Sequence, residues 1–285
     1  KLNTYTNLDY TRTTRPIDQN FYRETTSESG VTNVVDQSGK TERVRDNPSL
    51  RIGANYTINK KHKIGLMSNL YYQETVNDFT LNSNVQRGEN NFKTISKNEI
   101  TNEIFNGRFN LNYEFKIDTI GTSLKSDFNY VTITNDGFTI FDNTFIDNQN
   151  LDDTRFESDN PIEYDIYSGR IDYTKKINST STLETGIKAS TVKSDNNLDF
   201  YEIIDNQRVF QDSISNEFVY DEDIMVAYVS VSGKLGKKTG YKAGLRAEQT
   251  YTKGNSITLD SINKRDYLNW FPSLSLNHSF SKKYK

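Results

Sequence analysis

Apolar and polar side chains alternate with a period of two over stretches of about ten residues, the length a tilted strand needs to cross a bilayer. Leu50, Ile52, Ala54, Tyr56 and Ile58 lead into Asn59-Lys60-Lys61-His62, and Ile64, Leu66, Leu70 and Tyr72 lead out again. The same unit recurs around Asp118-Thr119-Ile120-Gly121, Asn178-Ser179-Thr180-Ser181 and Gly236-Lys237-Lys238-Thr239. The pattern predicts about ten strands, near 1–14, 48–58, 63–76, 104–115, 122–134, 164–176, 182–194, 222–235, 240–252 and 267–281. Tight links between them alternate with long loops near 15–47, 77–103, 135–163, 195–221 and 253–266. Short connections at one rim and long ones at the other are what an up-and-down transmembrane β-barrel looks like in one dimension. Helical periodicity is absent, so the expected fold is all-β and antiparallel.

Composition fits a sheet that is wet on one face only. Just 33% of the 285 residues are hydrophobic, and the mean hydropathy is −0.79. Yet 18 Tyr and 16 Phe are far too many aromatics for a disordered chain. No run approaches the length of a transmembrane helix, a limit that does not touch strands, which bury only every second residue. Four prolines are placed in loops (Pro16, Pro161), at a strand start (Pro48) and, exceptionally, inside a strand (Pro272).

The phase of each strand assigns its faces. In 241–248 the apolar set is odd-numbered (Tyr241, Ala243, Leu245, Ala247), while Lys242, Arg246 and Glu248 share the other face. A charge on the lipid side costs about 2–4 kcal/mol at the midplane, so these three must face a wet or protein-filled lumen. Lys125 and Asp127 fall in the same class by phase. Val229, Val231, Gly233 and Leu235 then face lipid. Tyr56, Tyr72, Tyr113, Phe115, Tyr130, Tyr164, Tyr173, Tyr267 and Trp270 fall close to strand ends, where aromatic girdles meet the headgroups.

Charge is sorted by rim. Segment 135–163 carries Asp136, Asp142, Asp147, Asp152, Asp153, Glu157, Asp159 and Glu163 against Arg155 alone, and 195–223 is equally acidic. The tight turns carry lysines instead, among them Lys60, Lys61, Lys237, Lys238, Lys282 and Lys283. The acidic segments read chiefly as solubilising surface, with a field-focusing vestibule as the alternative.

Catalytic chemistry finds little support. Cysteine is absent and only two histidines occur. His62 belongs to a tight turn, and His278 is in phase with Leu274 and Leu276 on the apolar face, far from Asp152 and Asp153. No hydrolase elbow, phosphate loop, zinc motif or calcium loop is present. No catalytic, cofactor or metal residue is therefore assigned, and the net charge of −3 gives no basis for a nucleic-acid partner. Tyr201, Phe210, Asn143, Asn148 and Asn150 lie in the predicted loops and would suit sugar or peptide contacts, or would pack the loops.

The stretches Glu222-Asp223-Ile224-Met225-Val226-Ala227-Tyr228, Gly244-Leu245-Arg246-Ala247-Glu248 and Tyr267-Leu268-Asn269-Trp270-Phe271-Pro272-Ser273 together carry a family resemblance. They resemble the outer-membrane β-barrel family of TonB-dependent receptors from Bacteroidetes, in which a "GLR-E" strand precedes an "FPS" strand. The resemblance implies a 22-stranded, plugged barrel in the bacterial outer membrane that takes up a scarce nutrient. It implies as partners outer-membrane lipid, the receptor's own plug domain and a periplasmic TonB, the last two outside this chain, with a surface lipoprotein as a further candidate. The chain departs from the pattern: no signal peptide, plug or TonB-box segment precedes its first strand, and no terminal aromatic strand closes it. The expectation is a portion of a larger receptor barrel, with Lys125, Asp127, Lys242, Arg246 and Glu248 as candidates for plug contact. A surface adhesin or structural barrel is the alternative, and an omptin-like outer-membrane protease a more distant one.

Overall fold

The computed structural model describes residues 1–27, 30–87, 90–146 and 152–280. Its strands are β1 (Leu2–Thr26), β2 (Thr32–Thr57), β3 (His62–Arg87), β4 (Asn90–Lys116), β5 (Ser123–Ile146) and β6 (Thr154–Lys176). They continue with β7 (Thr182–Ile204), β8 (Gln207–Phe210), β9 (Asn216–Leu235), β10 (Thr239–Ser256) and β11 (Ser261–His278). All belong to one antiparallel sheet in the order β1-β2-β3-β4-β5-β6-β7-β9-β10-β11, with the short β8 folded back onto the end of β7. This is the expected all-β, up-and-down arrangement. Among the described residues no ladder joins β1 to β11, so the sheet has two edges.

The tight turns form where the sequence places them, for a local reason. An Asx side chain opens three of the four and accepts backbone N–H groups that no ladder reaches. Asn59 Oδ1 accepts from the N–H groups of Lys61 (2.8 Å) and His62 (3.1 Å). Asp118 Oδ1 accepts from Ile120, Gly121 and Thr122 at 2.8–3.0 Å, and Asn178 Oδ1 from Thr180 at 2.9 Å. The fourth turn uses Gly236 at φ 69° instead.

The long loops are the main correction. Segments near 15–47, 77–103, 135–163, 195–221 and 253–266 are mostly strand, and the strands outrun the bilayer. β4 alone has 27 residues, about 90 Å at ~3.4 Å per residue, whereas crossing needs about 9–11. Only short connections remain, such as 257–260 between β10 and β11. The prolines shift accordingly. Pro16 lies in edge strand β1, and Pro48 and Pro161 lie inside β2 and β6. At each of these two internal prolines the ladder to the following strand lapses for two residues, because proline has no N–H to donate. Pro272 lies in β11, an edge, where proline is tolerated.

The register runs unbroken across every pair, so each strand keeps one alternate set on each side. Glycines aside, the least exposed strand residues, Thr75, Ser83, Ser158, Ser194, Val226 and Thr250, all fall on the same face. A single-layer sheet crowds one side only by curving, so this is the concave, inner face. The opposite face presents Leu245, Val229, Ile187, Phe128, Leu111, Leu66 and Ile52, all exposed, as an apolar belt.

Aromatic residues mark the belt's limits. On β4, Tyr113 and Phe115 close one end and Phe105 the other. From Phe105 to Phe115 is about 34 Å along a strand, or roughly 26 Å across the membrane at a 40° tilt. At the turn end His62 stacks on Phe115, centroids 4.5 Å apart. Inside the belt, Tyr130 stacks on Phe109 (6.0 Å) and Tyr167 (4.6 Å) across three strands. Of the residues expected in the girdles, Tyr164 and Tyr267 instead point inward, since their positions share the parity of Arg170 and of the partners of Arg246. Closeness to a strand end was the signal used for them, and it carries no facing.

Beyond the belt, polarity changes sides. Below, charges point inward and apolar groups outward. Above, β6 sends Arg155, Glu157, Asp159, Glu163 and Asp165 outward, and β4 sends Lys93, Lys97, Glu99 and Glu103. The inward alternates of the same stretches carry Phe156, Ile162, Tyr164 and Ile166 on β6, and Phe92, Ile100 and Ile104 on β4. The outer side now meets water rather than lipid, so charge is favoured there.

Candidate functional site in the inner face

Register brings all five sequence-predicted lumen residues onto the inner face. One row runs from Arg246 through Tyr228, Gly186 and Asp172 to Lys125. The next runs from Glu248 through Val226, Lys188 and Arg170 to Asp127. Lys242 lies two residues below Arg246 on the same strand. These rows fall at the depth of the outward apolar belt, so a band of charge lies behind the lipid-facing surface.

The charges are largely paired with one another. Lys242 Nζ lies 2.9 Å from Glu184 Oε2, reaching over β9 to β7. Arg246 pairs with Glu248 two residues on, and its guanidinium lies 5.8 Å from the centroid of Phe271. Arg170 bridges two carboxylates, Asp127 at 3.2 Å and Asp172 at 2.9 Å. Asp172 also accepts the Tyr228 hydroxyl at 2.5 Å. Lys125 makes no ion pair among the described residues. Half-exposed pairs of this kind contribute little stability each, about 0–1 kcal/mol. Their effect is to present alternating donors and acceptors to whatever fills the concave side.

The partners Arg170, Asp172, Glu184 and Tyr228 were not singled out from sequence. Strand parity alone would have found them, because each shares its strand's inward set. The histidines stand apart from this site. His62 Nδ1 lies 2.7 Å from the Tyr113 hydroxyl on the outer side of the turn rim. His278 Nδ1 lies 2.8 Å from Thr239 Oγ1. Asp153 is at the opposite rim, accepting the Phe145 N–H at 2.9 Å.

The strand acids of 135–163 do not line the mouth, whereas Glu202 and Glu222 of the second acidic segment point inward. Asp136, Asp142, Glu157, Asp159 and Glu163 take outward positions in β5 and β6, as solubilising charge would. Above the belt, Arg208 on β8 lies 3.1 Å from Glu157 and 2.6 Å from Asp159, with its guanidinium 3.9 Å over the Tyr201 ring. Asp159 holds the guanidinium pKa above its ordinary value. Tyr201 meets Phe210 edge-on at 5.5 Å, and Asn143 Oδ1 accepts from Ser96 at 2.7 Å. Those three candidates are thus strand residues packed on neighbours. Asp147, Asn148, Asn150, Lys282 and Lys283 lie outside the described residues.

A concave antiparallel sheet with an apolar belt outside, aromatic limits and a charged interior defines the wall of an outer-membrane β-barrel. The chain belongs to the outer membrane protein β-barrel family, whose pattern it matches over residues 115–285. The structure is similar to that of the ferric citrate transporter FecA in its unliganded form, with a TM-score of 0.56 and 10% identity. That likeness covers 98% of this chain and 42% of FecA, so the chain spans less than half of the FecA length. Two weaker likenesses are the outer membrane protease OmpT from Escherichia coli (TM-score 0.30, 9% identity, 98% and 96% coverage) and the RagAB peptide importer (TM-score 0.28, 8% identity, 90% and 49% coverage). No curated protein sequence matches the chain. The protein is therefore an outer-membrane β-barrel protein.

Proposed function

We propose that the chain is part of the barrel wall of a TonB-dependent outer-membrane receptor, facing a plug with its charged interior. One observation carries the reading: the band of inward charges at membrane depth. A small barrel fills its centre with its own side chains, whereas a wide one encloses water or a separate domain. Lys125, Asp127, Lys242, Arg246 and Glu248 all lie on the concave face and are free to meet such a domain. The two free edges, β1 and β11, agree with a wall that continues in further strands toward a total of 22. The FecA likeness agrees in fold. In this reading the plug and TonB act from outside this chain, a surface lipoprotein is accommodated above the mouth, and no residue is catalytic.

The test is chemical protection in the intact receptor. Glu248→Cys is expected to react slowly with a water-soluble maleimide while a plug is in place, and at least ten-fold faster once the plug is deleted. Equal rates would overturn plug contact. Uptake that persists without TonB would overturn energised transport and leave an adhesin or passive pore, a role that the tall extramembrane wall also suits.

A further inference from the structure

Above the membrane belt, the inner face of β3 to β7 is uncharged between Arg108 at its lower border and Glu202 at its upper one. Inward positions of 71–85 (β3), 92–106 (β4), 131–145 (β5), 154–168 (β6) and 190–200 (β7) are aliphatic, aromatic, amide, hydroxyl or glycine. The outward alternates of the same strands are densely charged, so composition alone does not account for the difference. Two features show that this surface is more than a packing face. Rings stand beside amides: Phe141 lies 6.1 Å from Phe200, parallel to it, while Asn102, Asn143 and Asn160 share the face. And Asn135 Oδ1 is buried without a hydrogen-bond partner. Its cross-strand neighbours on the two sides are Ile104 and Ile162, which can offer it nothing.

We propose that this face is the binding wall for a neutral, polyhydroxylated solute of the oligosaccharide class. This deepens the receptor reading and rests on it for the step of uptake, though not for binding. Each alternative occupant conflicts with something on this face. A charged chelate would surrender its hydration over a field of uncharged side chains, with charge only at the borders. A hydrocarbon would leave the amides and hydroxyls unpaired. A peptide strand finds few free backbone groups here, since the ladders use nearly all but those beside Pro161. Sugar rings offer an apolar C–H face for Phe141 and Phe200, and hydroxyls that both donate and accept for the amides. Inward cations border the face: Arg108 on β4, donating to Asn106 Oδ1 at 3.2 Å, Arg170 and Lys188 one inward position below the face on β6 and β7, and Arg43 and Arg45 on β2, with Arg43 donating to Asn77 Oδ1 at 2.6 Å.

The experiment uses the intact receptor in detergent, titrated with neutral α-glucan, β-glucan, mannan and xylan oligosaccharides. The comparison probes are a uronate oligosaccharide of matched length and a neutral-sequence peptide. At least one neutral saccharide is expected to bind, with the uronate at least ten-fold weaker. Asn135→Asp is expected to weaken that binding ten-fold or more, as is Phe141→Ala, while Asp136→Asn on the outward side leaves it unchanged. Retained heat-modifiable mobility shows that each variant is folded. Tighter binding of the uronate or the peptide overturns the proposal, as does no saccharide binding or an unchanged affinity in Asn135→Asp. The receptor reading is judged separately: binding that survives without TonB-dependent uptake sinks transport alone, and uptake of only charged solutes sinks this inference alone.

Discussion

The Tyr228 hydroxyl on β9 donates to the Asp172 carboxylate on β6, and its ring passes directly over Gly186 on the strand between them. Only glycine allows this crossing. A Cβ at 186 would lie 2.6 Å from the Tyr228 ring, 2.7 Å from the Asp172 carboxylate and 2.7 Å from the Ile171 carbonyl. Gly186→Ala is therefore expected to expel the tyrosine and destabilise the barrel by about 1–3 kcal/mol, the usual range for overpacking. Urea unfolding in detergent or lipid checks this. Tyr228→Phe, which removes only the hydroxyl, should lose less; a Gly186→Ala protein as stable as the parent would show that the ring does not lie there.

Facing is tested by one adjacent pair. Leu245→Arg places a charge in the lipid belt, costs about 2–4 kcal/mol near the midplane, and should cut the amount of folded protein in outer-membrane fractions. Arg246→Leu leaves the belt intact and should insert normally, losing instead the Glu248 pair and the interior contact. Equal insertion of both would fit the expectation for Arg246 and contradict the facing of Leu245.

The Lys242–Glu184 pair is half exposed, and a double-mutant cycle with Lys242→Met and Glu184→Gln should give a coupling below about 1 kcal/mol. A larger value would mean that the interior is drier than an open lumen.

At the turn rim, hydrogen bonds from Thr122, first its hydroxyl and then its N–H, hold the Asp118 carboxyl below its usual pKa, helped by the N–H groups of Ile120 and Gly121. A lowered folded pKa means that this stabilisation is complete above the unfolded carboxylate value of about 3.9 and disappears as pH falls through the folded one. Asp118→Ala should thus lower the melting temperature at pH 7, with the difference closing in strong acid. Asp118→Asn should be tolerated at both, since Asn59 and Asn178 already make the equivalent turns.

Much of this was legible in the residues. Period-two alternation located the belt, the tight turns and the parity of Arg246 against Leu245, because lipid imposes a one-sided rule that a single substitution breaks. The upper strands were read as loops because that rule lapses where lipid ends. Along β6, charge still alternates with uncharged residues, but the apolar set has moved to the other side of the sheet. A scan that follows one outward apolar face from the tight turn loses the strand there. Tyr164 was misassigned for the same reason. Pairing partners such as Asp172 for Arg170 depend on register across strands, which no single segment encodes.

The ladders that carry the strands far above the membrane also shape how the cell surface meets proteases. A protease needs about ten extended, unpaired residues in its cleft, and backbone held in a sheet does not supply them. Cleavage from outside should then be confined to the connections between strands, which among the described residues include 211–215 and 257–260. Limited digestion of whole cells would release almost nothing of this chain, leaving a crown as durable as the portion embedded below it.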